Sequence, residues 1–346
     1  MSIMGLNGFE YGFNVNFEDD GLIVTGGGVG EQNFGTPAGS ASTVRAIFLN
    51  MLGPCHQPWV SGEQAGGTPN TASGTVYWWH MYLQWSNFNT LGYAGSGIGV
   101  TEGVTLSTGA GGTVQLRVGG LDRGAESAAV LSLSAWHRFH VKIDHQTGGD
   151  VEVYLDGDLT TPIITYTLIA ADITNLTGKG SGFWWQADGV TAVYCDDCFS
   201  LDPADAIGVT DIELLANASV QGISITGNGN YQQWNGDYTD IDEIPASDVD
   251  YIDVASIDQA ATYAVENASQ AAVHFVQSKW RMTRTGSSAG VQAQVRIRNG
   301  ATDKDETITA APGSGNIIQH HHTAPDGSAW NKTKFDASEF GMVSRT

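Results

Sequence analysis

Five groups of residues in this chain have types and spacings that could do chemistry. Gly286-Ser287-Ser288-Ala289-Gly290 matches the glycine–x–serine–x–glycine string of serine hydrolases. That string works only where a strand turns sharply into a helix, and here an alternating segment follows, so a β-turn is expected. Cys195 and Cys198 have the spacing of a metal or redox pair. Residues three apart on an unbroken strand point to opposite faces, and the second pair that a zinc site would want is missing. Glu18-Asp19-Asp20 and Asp196-Asp197 could supply oxygens to a Ca2+ ion, which needs several from separate segments. They also read as solvated strand ends. In His320-His321-His322 the outer two share a face if the segment is a strand, and a threefold assembly would gather six imidazoles around a metal. The plainer expectation makes all three polar surface residues. Finally, Trp78-Trp79 and Trp184-Trp185 are doublets. On a strand one ring of each faces outward or into another layer, where it could stack on a sugar or bury in a core or interface.

These residues must be held by β-strands. His137–Asp144 and Val151–Asp156 both alternate with period two around the turn HQTGGD. Phe139, Val141, Ile143, Val151, Val153 and Leu155 are predicted to face a core. Arg138, His140, Lys142, Glu152 and Tyr154 are predicted on a wet face. Asp156-Gly157 closes the second strand. TVYWWHMYLQW (75–85), TVQLRV (113–118), GFWWQA (182–187) and AVYCDDCFSL (192–201) read as further strands, and AADITNL (170–176) as one short helical piece. VQAQVRIR (291–298) buries every second residue, leaving Gln292, Gln294, Arg296 and Arg298 outside, with AVHFVQSKWRM (272–282) as its expected hairpin partner. The acidic run 237–258 is expected to be a solvated strand with charged edges, which deter unwanted pairing. The fold class is therefore all-β, with two antiparallel β-sandwich domains, residues 1–204 and 216–346, and a linker at 205–215.

Composition narrows the partners. The 346 residues carry a formal charge of −22 and a pI near 4.4. That field repels nucleic acid and anionic membranes, so no nucleic acid and no membrane insertion are expected. Three cysteines are too few and too odd for a disulfide framework. The first residues lack a basic, apolar leader, so synthesis in a cytoplasm is expected.

Two resemblances add to this. Phe9-Glu10, Trp136, Tyr154-Leu155-Asp156-Gly157 and Tyr194-Cys195-Asp196-Asp197 make the first half similar to the concanavalin A-like lectin/glucanase superfamily in its laminin-G-like form. The resemblance implies a jelly roll, with an edge calcium and a glycan ligand as possibilities of the family. Its glucanases use three carboxylates along one strand face. Glu152-Val-Tyr154-Leu-Asp156 comes nearest and lacks the third acid, so no enzyme activity is expected. In the second half, Trp234, Tyr238–Glu243, Asp250-Tyr251-Ile252, Trp280-Arg281, Pro325–Trp330 and Phe340-Gly341 resemble a module of tailed-phage structural proteins. That resemblance implies a virion component (tail fibre, tail tip or capsid decoration) that assembles with other virion proteins. A symmetric homo-oligomer, with a trimer as first guess, follows from virion symmetry. The alternative function is a lectin-like adhesin for host surface glycan.

Overall fold

The protein was analysed as a computed structural model. It describes residues 2–7, 23–24, 29–32, 46–49, 53–58, 76–85, 87–88, 93–97, 103–109, 111–176, 182–187, 193–202, 221–242, 250–283, 292–310 and 314–346. The chain divides into two compact units, Met1–Val220 and Gln221–Thr346. Nearly every described element is a strand, and every strand pair is antiparallel, as the alternation predicts.

Unit 1 contains β1 (Ser2–Asn7), β2 (Ile23–Val24), β3 (Val29–Gln32), β4 (Ala46–Leu49), β5 (Gly53–Pro58), β6 (Val76–Trp85), β7 (Tyr93–Gly97) and β8 (Gly103–Gly109). It continues with β9 (Thr113–Val118), β10 (Leu121–Arg123), β11 (His137–Asp144), β12 (Asp150–Leu155), β13 (Ile164–Thr167), α1 (Ala170–Leu176), β14 (Gly182–Ala187) and β15 (Val193–Asp202). Side chains are not described for β1–β5, β7, β14 and β15. One sheet runs β13-β12-β11-β6-β15-β4-β3, with β1 also on β15; the other runs β10-β9-β8-β7-β14-β5-β2.

The predicted hairpin is present. Phe139 pairs with Leu155, Val141 with Val153 and Ile143 with Val151. Asp156 and Gly157 both take left-handed backbone, at φ 52° and 86°, the conformation a tight hairpin turn needs. The inward residues Trp79, Met81, Leu83, Trp85, Phe139, Val141, Ile143, Val151 and Val153 meet Val104, Leu106, Val114, Leu116 and Val118 of the other sheet in one core. Burial of this apolar area between two sheets is the main term holding unit 1 together. The predicted helical piece is α1. It is anchored by Asp172, fully buried and bound by Arg123 at 2.6 Å, with the Tyr166 hydroxyl donating at 2.7 Å.

Unit 2 contains β16 (Ile225–Gln232), a 3-10 turn (Tyr238–Asp240), β17 (Ala260–Val265), β18 (Val276–Thr283), β19 (Gln292–Asn299), β20 (Thr302–Asp305), β21 (Thr309–Ala310), β22 (Ser314–His321), α2 (Lys332–Asp336) and β23 (Ser338–Arg345). One sheet runs β16-β17-β23-β19-β20 with β21 also on β19, and β18 and β22 form a separate pair. The expected β18–β19 hairpin is therefore incorrect. β19 pairs instead with β23, which sets Val295 opposite Met342 and Ile297 opposite Phe340. Neighbours in the chain go to different sheets, as in sandwiches. The late motif builds a core: Trp330, Phe335 and Phe340 pack with Ala268, Val276, Ile297 and Ala324.

The acidic run also departs from expectation. Its described parts are a 3-10 turn at Tyr238–Asp240 and, over 250–258, irregular chain with a single bridge from Asp253 to Asn235, not a strand. The Asp237 carboxylate accepts from Thr239 N, and that of Asp240 accepts from Asp237 N at 2.8 Å. These acids cap backbone donors locally. No helix among the described residues is long and apolar enough to cross a membrane.

Candidate functional site

The outward face of β6, β11 and β12 is where unit 1 concentrates chemistry. Directly opposed residues of antiparallel strands share a face. Three ranks therefore cross the sheet: Tyr154–His140–His80, Glu152–Lys142–Trp78, and Arg138–Tyr82. The sequence places Arg138, His140, Lys142, Glu152 and Tyr154 on a wet face. The structure corrects this: His140 is 3% exposed, Tyr154 7%, His80 1% and Tyr82 4%. Alternation reveals which residues share a face, but not whether that face meets water.

Packing among these side chains is specific. The Trp78 ring stacks on Tyr154 at 5.7 Å between centroids. His80 meets Tyr82 edge-on, and the Arg138 guanidinium lies over the Tyr82 ring. The two imidazoles approach with Nδ1 atoms 3.2 Å apart, so one neutral ring donates to the other. Burial, the partner imidazole and the Arg138 charge hold His80 well below the usual value. Burial first, then Arg138, pushes His140 down to about 3. Both rings are thus neutral near pH 7. Burial and the adjoining Glu152 carboxylate push the Tyr154 phenol up to about 12.

Among the described residues, Lys142 and Glu152 bring partly exposed polar atoms to this face, as does half-buried Arg138. Lys142 Nζ lies 2.6 Å from Glu152 Oε2, with the two side chains 34% and 20% exposed. The face thus combines buried aromatic and imidazole rings with a cationic donor and an anionic acceptor side by side.

The residues singled out in sequence fall variously. Trp79 is fully buried in the inter-sheet core, which removes it from any sugar-stacking role. Trp78 is on the outward face but 9% exposed, its ring taken up by Tyr154. The expectation that this doublet offers an open ring is therefore corrected. Trp184 and Trp185 lie on β14 opposite His56 and Cys55, their side chains outside the described ones. Glu18, Asp19 and Asp20 lie outside the described residues, as does the 286–290 string. Asp196 and Asp197 are on β15, again without described side chains. There the β6–β15 register shifts between Asp196 and Phe199. The unbroken strand assumed for Cys195 and Cys198 is thus interrupted between them. His320 lies on β22 opposite Gln277, its side chain not described, and His322 is half-buried just beyond the strand. His321, expected at the surface, is 1% exposed. Among the described residues, no group of three His, Cys, Asp or Glu side chains is placed to hold a metal ion.

Sequence reasoning missed His80 and Tyr82 as members of a site. The signal was present: in TVYWWHMYLQW every second residue from Trp78 is aromatic or polar, while Trp79, Met81, Leu83 and Trp85 form the apolar series.

No protein-family model matches the chain, and no curated protein matches it in sequence. Solved structures similar to it include the binding domain of botulinum neurotoxin DC in complex with SialylT (12% identity, TM-score 0.37, 76% of this chain and 70% of that one). Others are the T. cruzi calreticulin globular domain (10%, 0.38, 62% and 93%) and the Emp47p carbohydrate recognition domain (10%, 0.34, 53% and 89%). At TM-scores this low the likeness assigns no function to the chain.

Proposed function

We propose that unit 1 is a glycan-binding module that engages its ligand on the outward face of β6, β11 and β12. The supporting observation is the Lys142–Glu152 pair, a donor and an acceptor 2.6 Å apart on the sheet face that carries Trp78 and Tyr154. Neighbouring sugar hydroxyls each donate and accept. Such a ligand exchanges hydrogen bonds with both members of the pair. Among the described residues no acidic triad accompanies the pair, and the reading is one of binding, not hydrolysis. A glycan array probed with the full chain tests it. Retention of at least one glycan, weakened by Lys142→Ala, supports it; no retention on a broad array rejects it.

We also propose, as a second reading, that the chain is a virion surface component, assembling with other virion proteins as a homo-oligomer. It is supported by the second-half resemblance to tailed-phage modules. Trp330, Phe335 and Phe340 from its late part lie in one core. Finding the chain by mass spectrometry in purified particles would support this reading, and its absence from them would reject it.

A further inference from the structure

Unit 2 brings together three side chains that no sequence motif connects. Ser278 lies on β18, His321 ends β22, and Glu306 follows β20. Val276 pairs with His321 and Ser278 with Gln319. Ser278 is thus the diagonal neighbour of His321 on the same face of the two-stranded sheet. Its Oγ is 2.8 Å from His321 Nε2, and His321 Nδ1 is 3.0 Å from Glu306 Oε1.

The surroundings fix how this chain of bonds is protonated. Lys304 Nζ lies 2.9 Å from the same Glu306 oxygen. Against the upward push of burial, the hydrogen bonds from His321 and Lys304 hold the Glu306 carboxyl below its ordinary value. Burial lowers the His321 imidazole, opposed by Glu306. An ionised carboxylate accepts from Nδ1–H, so the Nε2 lone pair faces the Ser278 hydroxyl. Trp330 Nε1 donates to the His321 backbone carbonyl at 2.7 Å, and the Phe340 ring packs beside the imidazole.

Two further observations point beyond a buried histidine with satisfied nitrogens. Ser278 is partly exposed, whereas the His321 side chain is 0% exposed and that of Glu306 13%. The base is therefore the sheltered member of the relay, between a hydroxyl and a carboxylate that are both half-buried. Two residues along the same strand face, Trp280 Nε1 is buried with no hydrogen-bond partner among the described residues. A buried N–H without an acceptor is costly, and on the face that carries Ser278 it is a candidate donor to a developing oxyanion.

We propose that Ser278 is a nucleophile toward carboxylic esters, with His321 as its general base and Glu306 as the residue that positions the imidazole. Ser278 Oγ bonds to the ester carbonyl carbon while its proton passes to His321 Nε2. The carbonyl oxygen takes up the negative charge on the strand face that also carries the Trp280 Nε1–H. Collapse of the tetrahedral intermediate breaks the bond to the alkoxy oxygen, which leaves with the proton from His321. Water, deprotonated by His321, then cleaves the acyl-serine to carboxylic acid and restores the hydroxyl. This activity is independent of glycan binding by unit 1.

Reaction of the full chain with a fluorophosphonate, followed by peptide mass spectrometry, tests the proposal. One adduct is expected on Ser278, absent when the protein is first unfolded in urea. Its rate should rise with pH to a plateau as a single imidazole loses its proton. Glu306→Gln should slow labelling at least tenfold with the thermal unfolding of the protein unchanged, and p-nitrophenyl acetate turnover should fall in parallel. An unmodified Ser278 in the folded protein, or equal labelling of native and Glu306→Gln chains, overturns it.

Discussion

Acidification should destabilise unit 1 through its paired imidazoles, and the size of the effect can be worked from one of them. His140 is buried between His80 and Tyr154 with Arg138 close by, and its pKa falls from an ordinary 6.5 to about 3. The folded protein therefore refuses a proton that the unfolded chain accepts as pH drops below 6.5. The unfolded state binds more protons throughout the interval between these values, so stability falls as pH falls. Between pH 7 and pH 5 the loss from His140 is about 2 kcal/mol. For a unit of this size that lowers the melting temperature by about 4–8 °C. His80, shifted in the same direction, adds to the loss. Calorimetry of the full chain from pH 7 to pH 5 measures it, with the unit 1 transition followed by fluorescence of its buried tryptophans. His140→Phe replaces the imidazole with an apolar ring of similar size and should remove a large part of the pH dependence. A melting temperature that stays flat to pH 5, or a His140→Phe chain with the full slope, would refute the reasoning.

Two further substitutions probe the frame that carries the site. Asp172→Ala strips a fully buried carboxylate from Arg123 and the Tyr166 hydroxyl and leaves both without it. Unit 1 should lose about 3–5 kcal/mol, read as a lower denaturant midpoint at an unchanged slope. Gly341→Ala places a Cβ against the Ala261 carbonyl oxygen and the Thr262 backbone, where β17 and β23 approach closely. Unit 2 should be destabilised by about 3 kcal/mol or more, visible as early loss of its transition while that of unit 1 stays in place.

The architecture was largely legible because alternation is a local property. Phe139, Val141 and Ile143 against Val151 and Val153 announce both the hairpin and its buried face, and the structure pairs them as expected. What lay beyond the sequence depends on contacts between segments far apart in the chain. The opposite face of that hairpin carries Arg138, His140 and Lys142 and reads as wet; only its meeting with Trp78, His80 and Tyr82 on β6 makes it an aromatic and imidazole surface. β18 was assigned to the nearest alternating segment, yet its partner β22 lies beyond β19, β20 and β21. For the same reason three consecutive histidines looked like surface polarity. His321 turns inward because Ser278 and Glu306, from two other segments, satisfy both its nitrogens. The acidic run misled differently: Asp237 and Asp240 cap backbone N–H groups, a role that charge alone does not reveal.

The glycan-binding reading stands or falls on Lys142 and Glu152. Affinity of the full chain for a glycan retained on an array, measured by calorimetry for the native protein and for Lys142→Ala and Glu152→Gln, tests it directly. The account predicts at least a tenfold loss for each variant, since each removes one charged hydrogen-bond partner, with the unfolding temperature within a few degrees of native. Native affinity in both variants, or no glycan bound by the native chain at all, would contradict it.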